Sequence, residues 1–261
     1  MKTAKHPTFD LTLFFNEEKH LYGFGDENYT WEIVDRIPSV TQFVAHYTPE
    51  FDAEAIAAKV AGKQGRTVEE VKTEWEDGKN YACEFGTRVH ANQEAMMTGN
   101  QPTSAPEDER EQAIMLAGCQ AMNDITSAGW RPFAAEKMVF SPMLRIAGTI
   151  DAIFVRGREM LIVDWKTNKA INRANRYHVH MLPPIEDLDD CEFTHYMLQL
   201  NLYQRILSRD GYINKETHPR KMIVHLTPDG YKTYPVDDNR AADTLLCDFL
   251  SCDWFCTFVP F

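Results

Sequence analysis

Near the N-terminus, apolar and polar residues alternate in three runs, FDLTLFF, HLYGFG and YTWEIV, within residues 9–34. Polar turns part them, and the alternation predicts strands. Ser39, in Pro38-Ser39-Val40-Thr41, stands as the N-cap of a short helix. Helical spacing begins near Asp52, recurs from about Lys79 to Thr98, where Gly99 stops it, and returns from about Pro106 to Ala128 ahead of Gly129. From Phe133 to Lys166 the period changes to that of strands joined by tight turns. Residues 168–190, polar and broken by Pro183-Pro184, read as a long loop. A helix over Cys191–Arg209 closed by Gly211, strands KMIVHL and YKTYPV, and a helix from about Asn239 complete the pattern. No repeat, low-complexity tract or Gly/Ser linker interrupts it. The chain therefore reads as one domain of α/β (α+β) class, with a mixed central sheet flanked by helices over 79–236. An N-terminal β-hairpin and helical elaboration occupies 1–78, and a C-terminal helix 237–261.

Composition supports a folded domain, since 44% of the 261 residues are hydrophobic and 15 are Phe. No stretch approaches the roughly 20 apolar residues that cross a bilayer, so no membrane partner is expected. The opening MKTAKHPTFDLTLFF lacks the apolar core and small-residue cleavage site of a signal peptide. Six scattered cysteines do not form a secreted disulfide framework, which points to a reducing cytoplasm. The net charge of -12 is unexpected for a binder of phosphates. Its distribution changes the picture: Arg145, Arg156, Arg158, Lys166, Lys169, Arg173 and Arg176 fall in one window with only Asp151, Glu159 and Asp164 as acids. Composition alone favours an ordinary solvated surface there, but such an island is also compatible with steering a polyanion.

The chemistry concentrates in IAGTIDAIFV-RGRE-MLIVDWKT. If Arg156-Gly157-Arg158-Glu159 is the loop of an antiparallel hairpin, Val155 faces Met160 and Asp151 falls opposite Asp164. Opposed side chains on one face have Cβ atoms only ~4.5–5.5 Å apart. Two carboxylates at that distance repel unless a cation lies between them, and oxygen ligands suit Mg2+ or Mn2+. Asp164 and Lys166 share a face, while Val163 and Trp165 point the other way. The lysine ammonium thus stands beside the carboxylates, able to stabilise charge at a phosphorus centre. If Ser141–Leu144 is the preceding turn, Glu136 falls opposite Thr149 on the Asp151 face and becomes a further acidic group. An exposed hairpin would account for the same residues only if its strands were not flanked by Ile, Val and Phe, as these are.

With GTID (148–151), VDWKT (163–167), GTRVH (86–90) and QLNLY (199–203), the sequence resembles the PD-(D/E)XK nuclease superfamily, in particular its RecB-like exonucleases of phage and mitochondrial genome-maintenance type. PSVT near residue 38 looks like the segment that opens such exonucleases. The resemblance implies a restriction-endonuclease-like core and one or two Mg2+ or Mn2+ ions held by Asp151, Asp164 and the backbone carbonyl of Trp165. Lys166 would be the catalytic lysine and His90 an additional metal ligand; the hairpin count, not the resemblance, adds Glu136 as a candidate metal ligand. Gln199 and Tyr203 match the family's QxxxY pattern, on one helical stripe with His195 one turn earlier. Gly86, one turn before His90, leaves a position without a side chain beside the imidazole, which suggests close packing. Some relatives build an iron–sulfur cluster from one upstream and three downstream cysteines. Cys83, Cys247, Cys252 and Cys256 depart from that spacing, and alternation with Phe249, Trp254 and Phe255 reads as a buried helix, so no cluster is expected.

Lys169, Arg173, Arg176, His178 and His180 are candidates for gripping phosphates, and Ser39 of PSVT joins the nucleic-acid-binding set. Tyr22, Tyr29 and Trp31 suit either base stacking or core packing. The resemblance favours DNA, single-stranded or at duplex ends, and exonucleolytic cutting in phage-type recombination, replication or repair, in a bacterial host, beside recombination or replication proteins. A structure-specific endonuclease, an RNase, or a nucleic-acid-binding module with a dead core are the rivals.

Overall fold

The computed structural model describes residues 1–26, 28, 35–214 and 216–251. Tyr29, Trp31, Cys252, Trp254, Phe255 and Cys256 lie outside these, as does the whole of YTWEIV (29–34). The N-terminal strands β1 (Lys2–Lys5), β2 (Thr12–Asn16), β3 (Leu21–Gly25) and β4 (Asp35–Ile37) form an antiparallel meander. Helices α1 (Val40–His46), α2 (Ala53–Gln64), α3 (Val68–Met97) and α4 (Glu109–Ser127) follow. Next come β5 (Arg131–Ser141), β6 (Ile146–Arg156), β7 (Glu159–Lys166), α5 (Glu192–Arg209), β8 (Arg220–Thr227), β9 (Gly230–Val236) and α6 (Ala241–Ser251).

The second sheet has order β5-β6-β7-β8-β9 and is mixed, because α5 carries the chain over to a β8 that runs parallel to β7. Alternation along the strands decides what each face meets. Ile153, Ile162 and Ile223 pack with buried residues of α1, α5 and α6. Ala152, Phe154, Leu161, Val163 and Trp165 point oppositely, onto Phe85 and Val89 of α3 and Ile114 and Ala121 of α4. Both faces are covered by helices, so the apolar runs of β6 and β7 are nearly continuous. The meander packs through Leu13, Phe15 and Phe24 on Met138 and Phe140.

Local chemistry places the helix starts. Ser39 caps α1 and Thr67 caps α3, each in a box closed by the side chain three residues on, Gln42 and Glu70. The cap at Thr67 starts α3 eleven residues before the Lys79 expected from apolar spacing. The long first half of α3 is mostly exposed, so its apolar pattern is thin although the chain is helical. Asp108 caps α4, which therefore begins at Glu109 rather than near Pro106.

Two turns set the registers that matter. Arg156 pairs with Glu159, so the β6–β7 loop is only Gly157-Arg158, with Gly157 at a φ of 60°. Shortening that loop at both ends leaves the expected register of Val155 against Met160 intact. In the preceding hairpin Ser141 pairs with Ile146, so the turn is 142–145 rather than 141–144. Ser141 Oγ accepts from Leu144 N, and Arg145 closes the turn at a φ of 51°. The pairing moves by two residues: Thr149 faces Met138, and Glu136 comes to the level of Asp151. A shift of two preserves the face, so Glu136 still points to the Asp151 side.

Candidate active site

The β6–β7 ladder ends at Ala152 and Val163, one step before Asp151 and Asp164. Beyond that point Trp165 N donates to Asp151 Oδ2 at 2.9 Å, in place of a backbone partner. The side chains thus stand where two covered strands part, between α3 and α5. His90, on α3, reaches this gap. Its Nδ1 lies 3.6 Å from Asp151 Oδ1 and 3.7 Å from Glu136 Oε1, while Nε2–H donates to the Trp165 carbonyl at 3.1 Å. Burial alone would lower the imidazole pKa, but the carboxylates of Asp151 and Glu136 outweigh it and raise it to about 9.

Asp164, almost fully buried, takes a different partner. Lys166 Nζ lies 2.9 Å from its Oδ2 and 3.1 Å from its Oδ1. Gln199 Nε2 donates to the same Oδ1 at 3.3 Å and to Tyr203 Oη at 3.4 Å. Burial pushes the Asp164 carboxyl upward despite the adjacent ammonium. Burial opposes charge on Lys166 as well, but Asp164 and Asp151 raise its pKa overall, so the ammonium stays protonated. Its Nζ sits 4.5 Å over the centre of the Tyr196 ring, a contact the sequence reading missed. The signal was there: Tyr196 precedes Gln199 by three residues, one helical step along the same stripe.

Ligand atoms of His90, Glu136 and Asp151 all lie within 4.8 Å of one another. An imidazole with two carboxylates is a donor set suited to Mn2+ or Mg2+, so the residues fit a divalent ion. Asp164 and the Trp165 carbonyl adjoin this triad, with the carboxylate engaged by Lys166 and the carbonyl by His90. Glu136 reaches it with a φ of 45°, a left-handed conformation inside a strand. The Gly86 expectation fares less well. A Cβ there would meet Thr167 Oγ1 at 3.7 Å, an ordinary contact that demands no glycine.

The family model of the PD-(D/E)XK nuclease superfamily matches residues 90–246, which include His90, the β5–β7 strands and α5. The chain belongs to that superfamily. Its mixed five-stranded sheet flanked by helices is the restriction-endonuclease-like fold. Among solved structures, the crystal structure of SSO0001 is similar at 17% identity and a TM-score of 0.26, over 56% of this chain. The chain spans 65% of that structure's length. No curated protein matches it.

Other predicted positions of the nuclease are distributed as follows. Lys169, Arg173, Arg176, His178 and His180 are exposed on the loop after β7. Asp189 and Glu192 bond the backbone N–H groups of Asn175 and Asn172, and Asp190 pairs with His195. Asp189 of the loop and Glu192 of α5 thereby brace the loop's first half, which carries Lys169, Arg173 and Arg176. Ser39 is buried and its Oγ accepts from Gln42 N, so the hydroxyl serves the α1 cap. Tyr22 is a core residue, stacked on Phe15 at 4.4 Å with its hydroxyl 2.9 Å from Thr149 Oγ1. Cys83 and Cys247 are exposed, on α3 and α6, which corrects the expectation of burial for Cys247; Phe249 beside it is buried. No helix among the described residues is long and apolar enough to cross a membrane.

Proposed function

We propose that this chain is an exodeoxyribonuclease of the RecB-like branch, dependent on Mg2+ or Mn2+, that shortens DNA ends in phage-type recombination, replication or repair in a bacterial cytoplasm. The whole chain acts as one nuclease domain, with 79–236 as its core. The observation that carries this reading is the convergence of His90, Glu136 and Asp151 on one point, beside the Asp164–Lys166 pair. An upstream histidine and a Gln199–Tyr203 stripe at the same point are the marks of the RecB-like branch rather than of the superfamily at large.

His90, Glu136 and Asp151 would hold the ion, with Asp164 and the Trp165 carbonyl beside them as further oxygen donors. When bound, a divalent cation supplies Lewis acidity toward a phosphate oxygen and a water nucleophile. Lys166 is favoured in its charged form by its carboxylate neighbours, Asp164 first. Its charge stabilises the negative charge that grows on the phosphate in the transition state. Gln199 holds the Asp164 carboxylate in place, and Tyr203 holds Gln199. Lys169, Arg173 and Arg176 grip the backbone on either side of the scissile bond.

A time course on DNA labelled at a known end tests this reading. Linear DNA should yield mononucleotides or short products from the first time points, and only with metal present. Circular DNA should persist. Nicking of circles at a similar rate makes the enzyme an endonuclease, cleavage of RNA alone makes it an RNase, and binding without cleavage makes it a binding module.

A further inference from the structure

A pocket of about 540 Å3 opens between α1 and α5, within the roughly 300–1,000 Å3 typical of ligand sites. Thr41 and His46 line it from α1, Glu50 from the turn beyond, and His195, Tyr196 and Gln199 from α5. Two of these residues also belong to the catalytic cluster. Tyr196 holds Lys166 against its ring, and Gln199 donates to Asp164. The pocket therefore shares two wall residues with the site and adjoins it.

Its chemistry argues against a phosphate. No Lys or Arg is among the lining residues, and Glu50 is acidic. Two imidazoles and a phenol ring offer flat surfaces instead. His195 is held in one orientation by Asp190, whose Oδ1 lies 2.8 Å from its Nε2. Thr41, Glu50 and the Gln199 side-chain oxygen can accept from N–H groups at the edge of a planar ligand. In a strand whose phosphate lies at Asp151 and Asp164, the neutral ring with edge donors that could reach this adjoining pocket is a nucleobase.

We propose that the α1–α5 pocket takes one unpaired base of the strand being cut, next to the scissile phosphate. The proposal rests on the nuclease reading and deepens it. A paired base cannot leave the stack to enter such a pocket without unpairing, so the enzyme engages single strands directly and must fray a duplex end first.

Binding without metal tests this apart from cleavage. A single abasic sugar is walked along a single-stranded oligonucleotide, and affinity for wild type and Ala45→Trp is measured. Ala45 lies exposed on the pocket wall, outside the catalytic cluster, and tryptophan there fills the cavity. One abasic position should weaken wild-type binding roughly tenfold, as the loss of one stacked base does. Ala45→Trp should bind the intact strand more weakly by a similar factor and lose the dependence on that position. Thr41→Tyr, also at an exposed wall position, should behave in the same way and guards against a misfolded first variant. If no position stands out, or both filled variants keep the positional effect, the pocket proposal is overturned while the nuclease reading stands. Failure to bind or cut any nucleic acid overturns both.

Discussion

Glu136 shows what a single residue contributes and what a pattern of residues conceals. Its φ of 45° inside β5 costs on the order of 1–3 kcal/mol for a residue with a side chain. That conformation sends its carboxylate to His90. Alternation placed Glu136 on the correct face, because parity survives a register shift of two, but its partner depended on where the turn closes. Ser141 reads as a turn residue and is in fact the last strand residue, bonding forward to Leu144. Gly148 of GTID has a reason visible only in three dimensions. A Cβ there would stand 2.7 Å from Tyr203 Cε1 and 2.9 Å from its hydroxyl, so the glycine makes room for the tyrosine of QLNLY. Gly148→Ala should cost about 1–3 kcal/mol in urea denaturation, as overpacking does, and adding Tyr203→Ala should relieve it; unchanged stability in the single variant contradicts the contact.

His90 carries a pH dependence whose sign follows from its neighbours. Its folded pKa of about 9 exceeds the ordinary 6.5, so without metal it stabilises the fold fully below pH 6.5 and loses that contribution as pH rises through about 9. An ion held by His90 must displace its proton. Thermal unfolding between pH 6.5 and 9 should therefore show a falling midpoint without metal and a growing increment from Mn2+. An Mn2+ increment that does not change with pH would remove His90 from the ligand set.

At the scale of elements, the strand pair β6–β7 and helix α5 were legible, because buried strands and capped or glycine-stopped helices leave regular signals. The reach of α3 was not, since its first half makes few apolar contacts and is set by the Thr67 cap. Nor was the tie between α3 and α4. Glu111 is completely buried on α4, where it takes Arg88 and the Tyr81 hydroxyl of α3 together with Glu107 N. A glutamate in the first turn of a helix reads as an ordinary surface residue, so no local pattern marks it. This bond network holds the helix that carries His90. Glu111→Ala should lower stability by roughly 1–3 kcal/mol, because Arg88, the Tyr81 hydroxyl and Glu107 N lose their shared buried acceptor, although Arg88 keeps Glu107. A loss near 0.5 kcal/mol, the size of a surface substitution, contradicts that role.

Across the whole molecule, a net charge of -12 is reconciled with the proposed polyanionic substrate by where the charges are placed. Asp189 and Asp190 of the 168–190 loop are taken up by Asn175 N and His195, and Glu136, Asp151 and Asp164 surround His90 and Lys166. The fold class and the superfamily follow from strand order and motif order, both written locally in the chain. The coordination set does not, because it depends on how β6 and β7 separate, on the reach of α3, and on an ion that the amino-acid sequence does not name. The most direct test of the centre is hydrolysis of linear DNA with Mn2+ by wild type and by Asp151→Asn. That substitution keeps an oxygen for Trp165 N and removes the charge. We expect rates at least about 100-fold lower, as when one transition-state contact is lost, with fold and DNA binding retained. Hydrolysis near the wild-type rate would place the catalytic centre elsewhere.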